Sequence, residues 1–510
     1  MGSHVKEACW LPLGSRTWRT RGHALQVTAN FPRKDGKMGK NLRTFLQQIG
    51  EQCPDELKIV KRKVNPVYEI TAICEKLERE RKQFPGVFFT NVEGSDLPVL
   101  INSMASYERM SMSLDLTRDQ MIQGYADRED NPIPPREVPK NQAPVKQVIL
   151  KGDDIDLYKF PFTHHNEDDA GRYISAGVSI VKDRQSGRQN MGIYRLQIQG
   201  KDQLGFMVNP GNHANYIRQD YEDAGERTEI AIVIGHHPAF YMASVSRVWC
   251  EEMEVAGGLL QEPLEVVKAE TVDLMVPAEA EIIIEGYIPP NERHYEGTFG
   301  EWPGYYNKEG DQPIIKVTAI TMRHDAICQD LFNAHMEHSV LGAVPRLGSL
   351  YRNIKRVCPS LQAVNLPYSG RCRAFCYISL KKRAEGEPKQ AAFVAFATDN
   401  NIRRVIVVDD DIDVFNEEDV QWAVAMRFQA DRDLALIPNS LGGHLNPGAY
   451  GYDRLSQGPM ETKEILDATK PLPPVRFPKR AHVPKDLLDQ INLDDYLLDL
   501  DRQELRSRVS

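Results

Sequence analysis

The sequence predicts an α+β, multidomain fold, and three observations predict it. Its 510 residues exceed what one hydrophobic core organises, which argues for two to four domains. Residues 145–330 are dense in β-branched, strand-like runs, whereas both flanks mix helical and strand periodicities. A proline-rich joint, Asn131-Pro-Ile-Pro-Pro135 with Pro139 and Pro144, marks a boundary between the first flank and the middle. The resulting division is 1–140 (α/β), 141–330 (β-rich, a barrel or sandwich), 331–483 (α/β) and a helical tail, 484–510.

In the first region, Val67, Ile70, Ile73 and Leu77 recur at helical spacing, so residues 66–82 read as an amphipathic helix. Residues 87–90 and 97–101 read as strands, and 110–125 as a helix. In the middle region, the apolar runs 173–181 and 191–198 flank a polar turn containing Gly187, the pattern of a hairpin. A short helix is expected over 212–223, and further strands over 230–234, 266–271, 281–285 and 314–322. In the third region, 405–408 is a buried-type strand and 417–428 a helix. Asp409, Asp410, Asp411 and Asp413 lie between them, where acids serve as caps and dipole partners; a separate metal site is the less favoured reading. The tail carries Leu487, Leu488, Ile491, Leu497, Leu498 and Leu500 with an acidic polar face, which suits packing or dimerisation better than a membrane.

A net charge of −9 and a pI near 5.9 argue against a general nucleic-acid binder. No apolar run approaches a membrane span, and residues 1–35 hold only a short apolar patch, so a leader there is not the favoured reading. The eight cysteines include no C-x-x-C pair. Cys372 and Cys376 would share a strand face too far apart to bridge. A reducing compartment, the cytoplasm, is expected.

The segment with the most chemical content is His294-Tyr-Glu-Gly-Thr-Phe-Gly-Glu-Trp-Pro-Gly304. It places two carboxylates, Glu296 and Glu301, around a glycine-broken turn. On a regular strand, residues five apart face opposite sides; a broken loop can aim both into one pocket. Two acids held together shift each other's pKa and can yield a proton donor near neutral pH. The plain alternative is a surface loop with two solvated glutamates.

That segment closely resembles the E-G-x-x-G-E signature of UbiD-like decarboxylases, which use prenylated FMN. Other motifs stand in the family's order. Asn190-Met-Gly-Ile-Tyr-Arg195 resembles its N-x4-R strand, and Asn209-Pro-Gly-Asn-His213 its loop ending in a ligand histidine. Glu252-Met-Glu-Val-Ala-Gly257 resembles E-x-E-x-A-G, followed by Pro263-Leu-Glu-Val-Val-Lys268 and Asp273-Leu-Met-Val-Pro277. Val408-Asp-Asp-Asp-Ile-Asp-Val414 resembles the acidic strand end of its third domain.

The resemblance implies a central split β-barrel that binds the flavin and a carboxy-lyase activity on an aromatic or heteroaromatic acid, nearest in motifs to the hydroxybenzoate branch. Position by position it implies a catalytic set of Arg195, Glu296 and Glu301, with Glu301 the proton donor and Arg195 the cation facing the carboxylate. It implies Asn190, His213 and Glu252 as ligands of Mn2+ (or Mg2+) on the cofactor phosphate, and Ser244 near that phosphate and a K+ ion. Ile193, Tyr194, Arg195 and Asn212 complete the expected cofactor contacts. The oxygen and nitrogen donors suit manganese or magnesium better than zinc. His338, Leu341, Arg373 (expected on a strand) and His444 are candidates for the substrate pocket; each polar one could instead satisfy buried backbone. A flavin prenyltransferase is the implied cofactor supplier, and a homodimer or higher homo-oligomer the expected assembly, with no nucleic-acid or membrane partner. Two other readings stay open: a conventional FMN oxidoreductase, and a decarboxylase of α,β-unsaturated, cinnamic-type acids.

Overall fold

The computed structural model describes residues 39–449 except Arg247, Trp249 and Lys308, residues 459–496, and the strand pair Trp18–Thr20 and His23–Leu25. Among these residues the chain is a mixed α/β, multidomain fold. In the first region Leu57–Val60, Gly86–Phe89 and Val99–Ile101 form a sheet whose edge strand, Cys328–Gln329, comes from far along the chain. The helix expected over 66–82 is Glu69–Arg81, burying Ile70 and Cys74. The helix expected over 110–125 is instead two, Tyr107–Ser113 and Met121–Glu129. Asp115 takes φ +54°, which no α-helix continues through. The periodicity was nevertheless right about burial, since Met110, Leu114, Met121 and Tyr125 are all in the core.

The middle region is built on a ten-stranded sheet. Its central strands, Thr228–Ile234 and Ile282–Ile288, are apolar on both faces because both faces are covered. The expected hairpin is present as Val178–Lys182 against Gln189–Ile193. The two apolar runs are not continuous strands, however. Each breaks and resumes at the opposite edge of the sheet, as Tyr173–Ile174 and Leu196–Ile198. Only Ser175–Gly177 and Tyr194–Arg195 join the two edges, and so few residues reach about 10 Å at most. The sheet therefore curls until its edges face each other across a seam, but the hydrogen-bond ladder does not close into a barrel. Two short helices unannounced by periodicity, Pro238–Ser244 and Glu252–Leu260, pack against it.

The 22-residue helix Met336–Val357 leads into the third region, with Pro345 inside it. A mid-helix proline argues against such a helix from sequence, and tertiary burial overrides it here. A five-stranded sheet follows in the order Leu361–Asn365, Phe375–Leu380, Arg404–Asp409, Met460–Asp467, Leu434–Leu441, with Glu387–Thr398 and Glu417–Arg427 as helices. The aspartates after its central strand hold Arg427: Asp409 Oδ2 at 2.9 Å and Asp411 Oδ2 at 2.8 Å. Asp413 accepts from the Phe415 amide at 2.9 Å. Cys372 is not on a strand; it occupies a turn at φ +53°, ahead of Cys376 on Phe375–Leu380. The seven described cysteines are free.

The expected helical tail is only Lys485–Gln490 in its described part, with Leu487, Leu488 and Ile491 48%, 54% and 39% exposed. Among the described residues nothing covers these three side chains. Residues 497–510, Cys9 and most of 1–35 lie outside the described residues. Among the described residues no helix is long and apolar enough to cross a membrane.

Candidate active site

Tyr194 and Arg195 leave the ladder where Gln189–Ile193 ends, and both line a cleft. Arg195 is buried, and its guanidinium is held at two points. Nε donates to Glu296 Oε1 at 2.7 Å, and Nη1 to Glu301 Oε1 at 3.0 Å. The Phe299 ring lies 4.9 Å from its centre. Glu296 ends the strand Arg293–Glu296; Glu301 opens the turn that closes with the Gly304 amide on its carbonyl at 2.8 Å. The broken loop thus does bring both carboxylates to one cation.

What shapes that loop was not legible from its own residues. Asp169 Oδ1 accepts from the Gly300 amide at 2.7 Å, the Ala170 amide donates to the Thr298 carbonyl at 2.9 Å, and Asn333 Nδ2 donates to the Gly300 carbonyl at 2.9 Å. A Cβ on Gly297 would lie 2.2 Å from Ala170 Cβ, and one on Gly300 2.6 Å from Asn166 Nδ2. At both glycines a protein segment approaches the loop closely.

Burial raises both carboxyl pKa values, with Arg195 opposing; Arg373 opposes at Glu301 as well. The Glu296 side chain is 1% exposed and the Glu301 side chain 15%. Glu296 is therefore the enclosed partner, and Glu301 opens on a cleft of about 230 Å³. Ile193, Tyr194, Arg195 and Asn212 line that cleft from the middle region; His338, Leu341 and Arg373 line it from the third.

His338 and Leu341 come from the long helix Met336–Val357. Burial, then Arg373 and Arg346, hold the His338 imidazole down at about 3, so it is neutral. Arg373 precedes its expected strand, lying in the turn before Phe375–Leu380. It stacks 4.8 Å from the Trp302 ring and donates to the His338 carbonyl at 3.4 Å, while its buried Nε has no partner. Burial, and then Arg346, lower its pKa to about 9. Arg346 also lines the cleft, 2.8 Å from Asp399. Sequence reasoning missed it, because it required knowing that a proline-containing segment is helical. His444 is exposed on a turn, and its neighbour Leu445 lines the cleft instead.

On the strand before Tyr194, Asn190 Nδ2 donates to Glu252 Oε1 at 2.8 Å, and the Met191 amide to Oε2 at 3.0 Å. Burial pushes Glu252 up to about 7. Asn190 Oδ1 is buried without a hydrogen-bond partner. A buried acid beside an unused carbonyl oxygen fits a cation. His213 heads the helix His213–Asp223, exposed, and makes no hydrogen bond to either. The Tyr194 hydroxyl reaches Asn212 and the Ala214 backbone at that helix head. Ser244 ends its helix with Oγ donating to the Tyr241 carbonyl at 2.8 Å, and is not part of the cleft wall.

Three family models match successive parts of the sequence: the 3-octaprenyl-4-hydroxybenzoate carboxy-lyase N-terminal domain over residues 52–129, the Rift-related domain over 136–335 and the C-terminal domain over 339–468. The chain belongs to the UbiD family. Among UbiD-class structures, the enzyme HmfF from Pelotomaculum thermopropionicum in complex with FMN is 37% identical, with a TM-score of 0.84 over 90% of this chain and 100% of that one. An evolved dimeric form of HmfF is described in complex with prFMN. The anhydromevalonate phosphate decarboxylase of Methanothermobacter thermautotrophicus is 32% identical, covering 84% of this chain and 97% of its own. The phenolic acid decarboxylase of Sedimentibacter hydroxybenzoicus is 31% identical, covering 88% and 95%. Like these UbiD relatives, the chain is a carboxy-lyase.

Proposed function

We propose that this UbiD-family enzyme reversibly decarboxylates an aromatic or heteroaromatic carboxylic acid, with prenylated FMN as its cofactor. The observation that carries the reading is Arg195, clamped between an enclosed Glu296 and a cleft-facing Glu301. In the proposed arrangement the curled sheet serves as the split-barrel cofactor domain. Ile193, Tyr194, Arg195 and Asn212 contact the flavin, and Asn190, His213 and Glu252 hold Mn2+ or Mg2+ at its phosphate, near Ser244 and K+. When bound, the cofactor supplies the electron sink that loss of CO2 from an sp2 carbon requires.

The protein's own residues do the rest. Arg195 attracts the substrate carboxylate into a low-dielectric wall, where its charge acts most strongly. Glu296 fixes the guanidinium. Glu301, whose carboxyl burial pushes toward the neutral form against Arg195 and Arg373, delivers a proton to the carbon that has lost CO2; in the reverse direction its carboxylate removes that proton.

A finer feature favours one substrate class. Arg373 and Arg346 both line the cleft, and Asp399 is paired with Arg346. Buried cations are costly unless paired. The two arginines support a substrate with a second anionic group, beside the neutral His338. Reading the protein as a conventional FMN oxidoreductase gives the Arg195–Glu296–Glu301 set no work. The exposed apolar side chains of 484–496 support the tail as an oligomerisation element, and a flavin prenyltransferase is the proposed supplier.

The test is anaerobic CO2 release by protein produced with and without a flavin prenyltransferase, assayed with Mn2+ and K+. The panel pairs monocarboxylic aromatic and heteroaromatic acids with their dicarboxylic counterparts, and adds cinnamic acids. Turnover that needs the prenyltransferase, and that favours the dicarboxylic members, is expected. Retention of ordinary FMN with no turnover would sink the decarboxylase mechanism; turnover confined to cinnamic acids would move the substrate class.

A further inference from the structure

Ser175 and Arg195 sit in the two short links that span the seam. The ladder pairs Gln197 with Tyr173 and Leu196 with Ile174, the last pair before those links. Both line the cleft. Behind Ser175 stands a histidine that the Arg195–Glu296–Glu301 set does not use. His165 Nδ1 is 3.5 Å from Ser175 Oγ, at the long end for a hydrogen bond, and its Nε2 is 2.7 Å from Asp330 Oδ2. The three residues are 5%, 4% and 5% exposed. Both ends of the chain are fixed. Thr71 Oγ1 donates to the His165 carbonyl at 2.8 Å, and the Leu331 amide to Asp330 Oδ1 at 2.8 Å.

The ring decides what Ser175 presents to the cleft. With Nε2–H on Asp330, a neutral imidazole offers a lone pair at Nδ1 and takes the serine proton, leaving only lone pairs toward the cleft. A charged ring donates from Nδ1 to Oγ and turns the serine proton outward. Several groups act on that choice. Burial disfavours the charged ring, but Asp330, with Asp169 and Glu337, outweighs burial and raises the His165 pKa. The nearby His164 and His338 rings are themselves pushed toward the neutral form by burial, so they add little opposing charge.

We propose that Ser175 is a second hydrogen-bond donor to the substrate carboxylate beside Arg195, with His165 and Asp330 as positioning residues that turn its hydroxyl into the cleft. This rests on the reading of Arg195 as the carboxylate site. It adds a requirement that the glutamates do not impose: a charged ring at His165.

The experiment has two arms. In the first, the full chain is labelled at histidine and titrated by NMR, with the His165 signal assigned by its loss in His165→Gln. The ring is expected to be charged at pH 7 in the wild type and neutral at pH 7 in Asp330→Asn. A neutral His165 at pH 7 with Asp330 intact overturns the proposal. In the second, kcat/KM is compared for the acid that turns over. Ser175→Ala is expected to lose about ten- to a hundredfold, the range for one hydrogen bond to a charged group, at unchanged thermal stability. Ser175→Thr, which keeps the hydroxyl, is expected to retain most activity. An unchanged kcat/KM in Ser175→Ala, or equal losses in both variants, overturns it. If no acid turns over, the Arg195 reading fails, while the first arm still decides whether the charged ring exists.

Discussion

Glu301 and Glu296 contact the same arginine, but Glu296 is enclosed while Glu301 opens on the cleft. Glu301→Gln removes the transferable proton and keeps the hydrogen-bonding shape. Turnover is expected to fall roughly 10²- to 10⁴-fold, the usual worth of a general acid, with flavin retained; full activity by CO2 assay would defeat the assignment. The pH sign follows from the raised carboxyl pKa. Its neutral form persists above the ordinary glutamate range and is lost as pH rises through the raised value. Decarboxylation therefore falls on an alkaline limb to which Glu301 contributes, and any residual Glu301→Gln activity keeps only the part set by His165. The stability that this group contributes disappears over the same interval, because the fold favours its neutral form. Glu252 makes an independent prediction. With its pKa at about 7, it must lose a proton before it can ligate a cation. Mn2+ affinity measured by calorimetry is expected to rise about tenfold from pH 6 to pH 8, and Glu252→Gln to abolish most of it. A flat pH dependence in the wild type would remove Glu252 from the ligand set.

At the scale of elements, the loop 296–304 and the loop before Tyr173 are one structure made from two segments. Gly297 carries the sharpest prediction, because its missing Cβ is replaced by Ala170 Cβ at 2.2 Å. Gly297→Ala must push the loops apart and move Glu301 from Arg195, and displacement of about 1 Å can cost roughly 10²-fold in rate. Adding Ala170→Gly restores the space, so the double variant is expected to recover most activity. Two losses that simply add would show that the contact is not the cause. The sequence made part of this legible. The glycines and the paired glutamates were visible as a bend with two acids, and family order gave Arg195 a role beside them. Asp169, Asn333 and Arg346 were not visible, because each reaches the site from a segment with no local pattern of its own. The runs 173–181 and 191–198 were read as continuous strands, since period-2 patterning reports which faces are buried and not where a ladder breaks. That break is what frees Ser175 and Arg195 to face the cleft.

For the whole molecule, the cleft exists only because the third region closes over the seam. Glu337, at the start of the long helix, accepts from the Asn102, Met104 and Phe332 amides at 2.8–2.9 Å, tying that helix to the first region. Arg118 lies between the Tyr107 and Phe415 rings, at 4.1 and 4.6 Å, and bonds Asn365 Oδ1 at 3.1 Å, joining the first and third regions. The tail has no such anchor for Leu487, Leu488 and Ile491, and exposed apolar groups of this kind mark association surfaces. Deleting residues 484–510 is expected to reduce the native mass seen by light scattering without changing the melting temperature of the remaining body; an unchanged mass would assign the tail another role.

The sequence by itself determined the composition of this protein's parts: an α/β, β-rich, α/β order, the carboxylate pair, the cation opposite them and the family. These are carried by local periodicity and by residue types in fixed spacing, which a chain displays before it folds. Only the tertiary structure decided how the parts act. It curled the sheet about a seam, opened Glu301 to the cleft while enclosing Glu296, drew Arg346 and Arg373 to the same cleft, and left His444 exposed on a turn. Burial and long-range contacts set each of these outcomes, and neither is a property of neighbouring residues in the chain.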